Sequence, residues 1–359
     1  YGGQYAPLAF LSYLVLYAGF GYDPFYFHMF SLLLHIGCVC LVWKLISSLL
    51  RVHGGVSEKQ ILYVNFITTL LFAVHPINVE AVAWISALKV LLYAFFYLLG
   101  LLCYLRYIRT SKIFYYVLTI GCFLCSFWGK EQAVTFPLAL LIVDWFTNRN
   151  MKNLEVWSEK MSFLIMAFFF GIITVLSQGK GPYEMIFPLY QRLLFGCFAL
   201  VEYITKSLLP VNLNFFYPFP IVLGEEPPLH YYLYPVVLLF LMGWIIAYRN
   251  NRYLVFGVLL FLVNLLFSIH LFNMSRHAIV ADRYMYLSYV GIAFLIANGI
   301  WWLRKRLSYF KAALVFLFFY CFFLSVYTFH YTKKRENTTM VKKYTKEVLE
   351  KRLNGSNHL

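Results

Sequence analysis

The chain has 359 residues, 62% of them hydrophobic and only 13% charged, with a formal net charge of +15. Mean hydropathy is +0.70, a balance that excludes an ordinary soluble domain. The charge first suggests nucleic acid, but most of the basic residues flank apolar runs, where they set topology and meet anionic headgroups; no nucleic-acid partner is expected.

In chain order, residues 7–21 mix leucines with Ser12, Tyr13 and Tyr17 and read as an outer-surface helix leading into Pro24. Apolar runs long enough to cross a bilayer as helices follow near 26–50, 61–75, 88–107, 112–128, 133–147, 160–177, 232–249, 252–271, 284–303 and 309–330. The expected architecture is therefore an all-α polytopic membrane protein of about ten transmembrane helices plus interfacial helices. Aromatic residues make up 21% of the chain, as suits lipid-facing surfaces and interfacial belts. All seven cysteines lie in or beside apolar runs, and the Cys122/Cys125 pair reads as small buried hydrophobes rather than a redox or metal pair.

The loops divide by charge. Arg51 with Lys59, Arg106 with Arg109 and Lys112, Arg149 with Lys152, Arg249 with Arg252, and Arg304 to Arg306 mark one face as cytoplasmic. The loops at His75 to Glu80, Lys130 to Gln132, Asn212 to Pro220 and Ala281 to Tyr286 fall on the opposite, outer face. Walking inward from both ends places both flanks of 191–209 outside, so this segment cannot cross once. It carries Arg192, Glu202 and Lys206, the last two spaced i,i+4, and reads as an interfacial or re-entrant helix. Beyond residue 330 the composition turns to Lys, Arg, Glu, Asn and Thr. Residues 1–330 thus form a membrane domain and 331–359 a soluble basic helix.

Ionisable groups gathered at one membrane face mark a site. His75 and Glu80 have two roles open to them: contact with a hydroxylated or phosphorylated substrate, or hydrogen bonding to interfacial backbone. Lys130 and Glu131 form either a solvated pair or, between apolar helices, a phosphate contact through Lys130. Asp282 and Arg283 open a span as cap and anchor or as a phosphate grip, since Arg binds phosphate bidentately and keeps its charge. Tyr284 and Tyr286 are expected to add hydroxyls on the same rim. The nucleotide-binding, zinc-hydrolase and serine-nucleophile motifs are missing, so an outer-face enzyme of this kind needs a donor already activated in the membrane.

Four segments in order carry a family resemblance: His75 to Ser86; Lys130 to Gln132 with Phe136, Pro137 and Asp144; Leu209 to Pro218; and Ala281 to Ser288. Together they resemble the multispanning tetratricopeptide-repeat glycosyltransferases, which include the transmembrane O-mannosyltransferases that modify cadherins and a bacterial group. The resemblance implies a GT-C type fold, a polyprenyl-phosphate sugar as donor, and inverting transfer to a hydroxyl of a protein acceptor. No divalent metal is implied, and membrane lipids are the remaining partner. Donor contacts are expected from Arg283, Lys130, His75, Glu131, Asp282, Tyr284 and Tyr286. The family pattern assigns the catalytic base to an outer loop expected upstream of Tyr1, leaving Glu80 as the fallback within the chain. The tail from Tyr344 would begin a tetratricopeptide-repeat domain. The membrane would be the inner membrane in a bacterium or the endoplasmic reticulum in a eukaryote. Two other readings stay open. A transporter or flippase should show ionisable groups and broken helices near mid-membrane in repeated halves, whereas here the charges sit at one rim; a non-catalytic anchor for a repeat domain needs no such groups.

The loop charges yield a direct test. Topology tags at 55, 110, 151, 250 and 305 should report the cytoplasm, and tags at 78, 184, 216 and 281 the outside. A cytoplasmic signal at 216 would break the parity argument for 191–209.

Overall fold

The structure is a computed structural model that describes residues 6–177, 187–214, 216–270 and 278–334, with 174–177 described by their backbone alone. The expected loop around Glu184 and the basic tail from 335 onward lie outside the described residues. Throughout the described residues the secondary structure is helical, apart from one isolated antiparallel bridge between Tyr217 and Val280.

Helix α1 (Pro7–Phe20) starts on a proline and stops at Gly21, whose φ of 65° suits a residue without Cβ. Helix α2 (Pro24–His53) is capped by Asp23, whose side chain accepts from the Phe25 amide at 3.0 Å. Helix α3 (Glu58–Val74) begins under a Ser57 cap and ends at His75, where Pro76 cannot continue the hydrogen-bond ladder. A 3₁₀ turn (Pro76–Asn78) and the short α4 (Val79–Ala83) then lead into α5 (Leu88–Thr110). Next come α6 (Ile113–Gly129), a 3₁₀ stretch (Glu131–Thr135), α7 (Phe136–Phe146) and α8 (Leu154–Ser177). The remaining helices are α9 (Leu189–Leu208), α10 (Leu233–Ala247), α11 (Arg252–Leu265), α12 (Met285–Trp302) and α13 (Leu307–Lys333).

Among the described residues, six of the ten expected spans are helices long and apolar enough to cross a membrane: 24–53, 85–110, 154–173, 229–247, 282–305 and 307–333. A seventh arises only if α3 and residues 76–83 are taken as one span bent by 50°. Helices α6 and α11 are apolar but shorter, and the run at 133–147 divides into the 3₁₀ stretch and the 11-residue α7. A straight crossing takes about 20 residues at ~1.5 Å each, so the six or seven helices of that length and hydropathy do not confirm the expected count of about ten. Segment 191–209 forms one continuous helix, α9, that falls outside the set of candidate spans.

Helices α5 and α12 are enclosed by their neighbours, whereas α10 and α13 are mostly exposed and apolar, as lipid-facing helices are. A close helix–helix approach joins α11 to α12. A Cβ on Gly291 would sit 2.5 Å from the Gly257 carbonyl oxygen and 2.7 Å from the Phe261 amide nitrogen, so only glycine allows this contact.

One end of the bundle holds a dense ion network. Asp144 of α7 and Lys160 of α8 are fully buried and paired, and Lys160 also donates to the Tyr104 hydroxyl. Tyr104 donates to Asp144 at 2.8 Å, and Arg149 bridges Asp144 at 3.2 Å and Glu159 at 2.6 Å. Charges buried in this way are tolerable only because each has a partner. Lys160→Met removes one of the two cations at Asp144 and, with Arg149 still at 3.2 Å, should cost less than the roughly 3–5 kcal/mol of a buried charge left without any partner, read as a lowered unfolding midpoint in detergent. The double variant Lys160→Met/Asp144→Leu should recover part of that loss.

Candidate functional site at the opposite rim

The end of α6, the start of α12 and the short α4 converge at the other end of the bundle. Gly129 makes this possible: a Cβ there would lie 2.8 Å from the Tyr93 amide nitrogen, so the end of α6 closes directly onto α5 and carries Lys130 inward. Lys130 is buried, and its ammonium lies 4.6 Å from the centroid of the Tyr284 ring. The Arg283 guanidinium lies 5.1 Å from the same ring and 5.3 Å from that of Trp84. Two cations thus share one tyrosine, within the range where ring faces attract positive charge.

Arg283 is held by Glu80. Its Nη1 donates to Glu80 Oε1 at 2.7 Å and its backbone amide to Oε2 at 2.8 Å. Glu80 is only 2% exposed. Both carboxylate oxygens are thus engaged by Arg283, one by its guanidinium and one by its backbone amide. Arg283 is partly exposed, and no acceptor among the described residues takes its Nη2.

Asp282 faces a different set of groups. It is fully buried, accepts from the Tyr217 hydroxyl at 3.0 and 3.2 Å, and lies 3.6 Å from Lys206. Lys206 also meets Glu202 at 3.5 Å and sits 3.3 Å from the centre of the Tyr217 ring. Burial and the neighbouring Asp282 charge push the Tyr217 phenol well above its ordinary pKa, so it remains a neutral donor. The Tyr217 carbonyl accepts from the Ile279 amide at 2.9 Å, clamping the segment after α9 onto the approach to α12.

The expected site residues therefore separate. Lys130, Arg283, Tyr284 and Glu80 come together with Trp84, and Asp282 backs them from the interior. Of the two roles open to His75, the structure displays backbone capping: its ring is buried, Nδ1 accepts from the Ile77 amide at 3.2 Å, and it stacks on Tyr289 at 4.2 Å. Glu131 is half-buried at the start of its 3₁₀ stretch, with no ion pair or side-chain hydrogen bond among the described residues. Tyr286 is a correction. Its hydroxyl bonds His35 Nδ1 at 2.7 Å and its ring packs 5.3 Å from Phe72, inside the core rather than on the rim. Residues two apart on a helix point to different sides, so Tyr284 and Tyr286 cannot share one surface.

Sequence reasoning missed Trp84 and Tyr217 as partners in the site, and it connected Lys206 only to Glu202. A Trp four residues beyond Glu80 was visible within the resemblance segment; the pairing of Lys206 with Asp282 had no sequence signal. Among the described residues no group of three His, Cys, Asp or Glu side chains is placed to hold a metal ion.

Fold and site define an integral, all-α polytopic membrane protein with ionisable groups buried at both ends of its helix bundle. By sequence the chain is similar to curated protein O-mannosyl-transferases. It is 30% identical over 184 residues to protein O-mannosyl-transferase tmtc2 of Xenopus laevis, a match covering 49% of this chain and 21% of that protein. It is 34% identical over 160 residues to human TMTC2, covering 43% and 18%, and 32% identical over 144 residues to human TMTC4, covering 37% and 19%. The matched region spans about a fifth of the length of these relatives. No family model and no solved structure matches.

The Glu80–Arg283 pair should be strongly coupled. Arg283→Gln leaves a buried carboxylate without its cation and should cost roughly 3–5 kcal/mol of stability. Glu80→Gln/Arg283→Gln should cost less than the sum of the single changes. Additive losses in a thermal-unfolding cycle would show that the pair is not coupled.

Proposed function

We propose that this chain is the membrane domain of a glycosyltransferase that moves a sugar from a polyprenyl-phosphate carrier to a protein hydroxyl at the outer, periplasmic or lumenal, face. The observation that carries this reading is the pair of cations on one ring: Lys130 and Arg283 both contact Tyr284 where the end of α6 meets the start of α12. A lipid phosphate needs two things, fixed positive charge beside the membrane and an apolar path for the chain. The first is supplied by Arg283, whose geometry matches a phosphate and whose charge never titrates away. For the second, a groove of about 540 Å³ lies between α1, the start of α2 and Ile85, next in sequence to Trp84. Its lining is Phe10, Tyr13, Leu14, Tyr17 and neighbouring apolar residues, and Tyr13 ties α1 to the site by donating to the Ile85 carbonyl at 2.7 Å.

Roles divide accordingly. Arg283 and Lys130 hold the phosphate, Tyr284 and Trp84 form the aromatic wall against which a sugar ring packs, and Glu131 bonds sugar hydroxyls. Asp282 with Lys206 and Tyr217 sets the position of Arg283 from behind. Glu80, engaged by Arg283 on both carboxylate oxygens, serves to orient that side chain. The names of the relatives as protein O-mannosyl-transferases support the transfer reaction and a protein acceptor; mannose is the sugar to try first.

The test is donor binding to the purified protein, using a polyprenyl-phosphate mannose. Loss of a buried charge-assisted contact costs on the order of 2–5 kcal/mol, so Arg283→Ala should weaken binding by roughly tens to thousands of fold at ~1.4 kcal/mol per decade. Arg283→Lys should restore part of it, because Lys lacks the planar fork. Tyr286→Phe, in the core, should leave affinity unchanged. Normal donor binding by a well-folded Arg283→Ala protein would reduce Arg283 to an anchor.

A further inference from the structure

A second groove, of about 410 Å³, lies at the end of the bundle opposite the candidate site, between α2, α5 and α6. Its two long walls are helical stripes that change character in step. On α2 the stripe runs from Leu41 through Lys44, Ser47 and Ser48 to Arg51; on α5 it runs from Leu99 through Leu102 and Cys103 to Arg106 and Arg109. Spacings of three, four and seven residues keep each stripe on one helix face. Both stripes begin apolar in the body of the bundle and end cationic at its rim, and Tyr115 of α6 closes the third side.

The charge in the groove is unbalanced. Arg51 pairs with Glu58 at 3.2 Å, an exposed contact of little worth. Among the described residues no acidic side chain lies within ion-pair distance of Lys44, Arg106 or Arg109. The groove therefore carries three uncompensated cations above a floor of leucines.

We propose that this groove is a binding site for one anionic glycerophospholipid of the cytoplasmic leaflet. Its headgroup phosphate would sit among Lys44, Arg106 and Arg109, and an acyl chain would run along Leu41, Leu99 and Leu102. The apolar floor is what selects a lipid over a soluble phosphate: inorganic phosphate would gain only the charges, whereas a lipid also covers the leucines. The alternative is that these cations merely belong to the general basic lining of the cytoplasmic face, which predicts no preference for this position over any other.

The experiment uses the full chain in mixed detergent micelles containing phosphatidylcholine and phosphatidylglycerol, with retained lipid counted by native mass spectrometry. A juxtamembrane cation is worth roughly fivefold in anionic-lipid affinity, so Lys44→Gln/Arg106→Gln should lower phosphatidylglycerol retention by about 25-fold. Lys305→Gln/Arg306→Gln removes the same charge from the same face away from the groove and should change retention little. Leu102→Gln, which makes the floor polar at unchanged charge, should also release lipid while leaving all the cations in place. The proposal fails if the groove and control variants lose lipid equally, if phosphatidylcholine is retained as well as phosphatidylglycerol, or if inorganic phosphate at millimolar concentration displaces the lipid.

Discussion

The rim of this protein is organised around one buried ion pair, Glu80 with Arg283, joining residues 203 positions apart in the chain. A carboxylate only 2% exposed at a membrane surface is affordable only with a cation against it. Once Arg283 is drawn to Glu80, the short α4 is held against the start of α12, the guanidinium comes to rest over Trp84 and Tyr284, and Lys130 reaches the same tyrosine from the end of α6. Asp282, one residue earlier, is thereby turned inward to Lys206 and Tyr217. The site is one connected set of charges in which each member orients the next.

The opposite end follows the same principle with different residues. Asp144, Glu159, Lys160 and Arg149 meet around Tyr104 and tie α5, α7 and α8 together. No partially exposed cation shared between two aromatic rings occurs in this knot; its charges are turned on one another. Exposure does not separate the two ends, since the Arg149 side chain is 21% exposed and that of Arg283 23%; the two rings over which Arg283 lies do. Between the two ends, close packing is set by small residues, with Gly257 against Gly291 and Gly129 against Tyr93. An added methyl at either contact would push the helices apart and with them the groups they carry to the rim.

Much of the fold was legible from hydropathy and charge, because a bilayer imposes one solution on long apolar segments: a helix that satisfies its own backbone. The helices themselves, the break at His75–Pro76 and the start of α2 at Pro24 all follow from local chemistry. Hydropathy was a poorer guide to length. It merged the 3₁₀ stretch with α7 into one span and ran α11 on past Leu265, since an apolar residue inside a protein and one facing lipid look alike in sequence.

For the candidate site, residue type and loop placement were enough to single out Lys130, Asp282, Arg283 and Glu80, because charged residues beside apolar runs are costly and therefore few. Which of them touch was beyond any pattern. The Glu80–Arg283 pair, the meeting of Lys206 with Asp282, and the inward turn of Tyr286 toward His35 depend on how α4, α9 and α12 rotate and dock. A sequence specifies which groups must be satisfied when water is removed. Only the packed helices, by setting distances between residues far apart in the chain, choose the partner that satisfies each one.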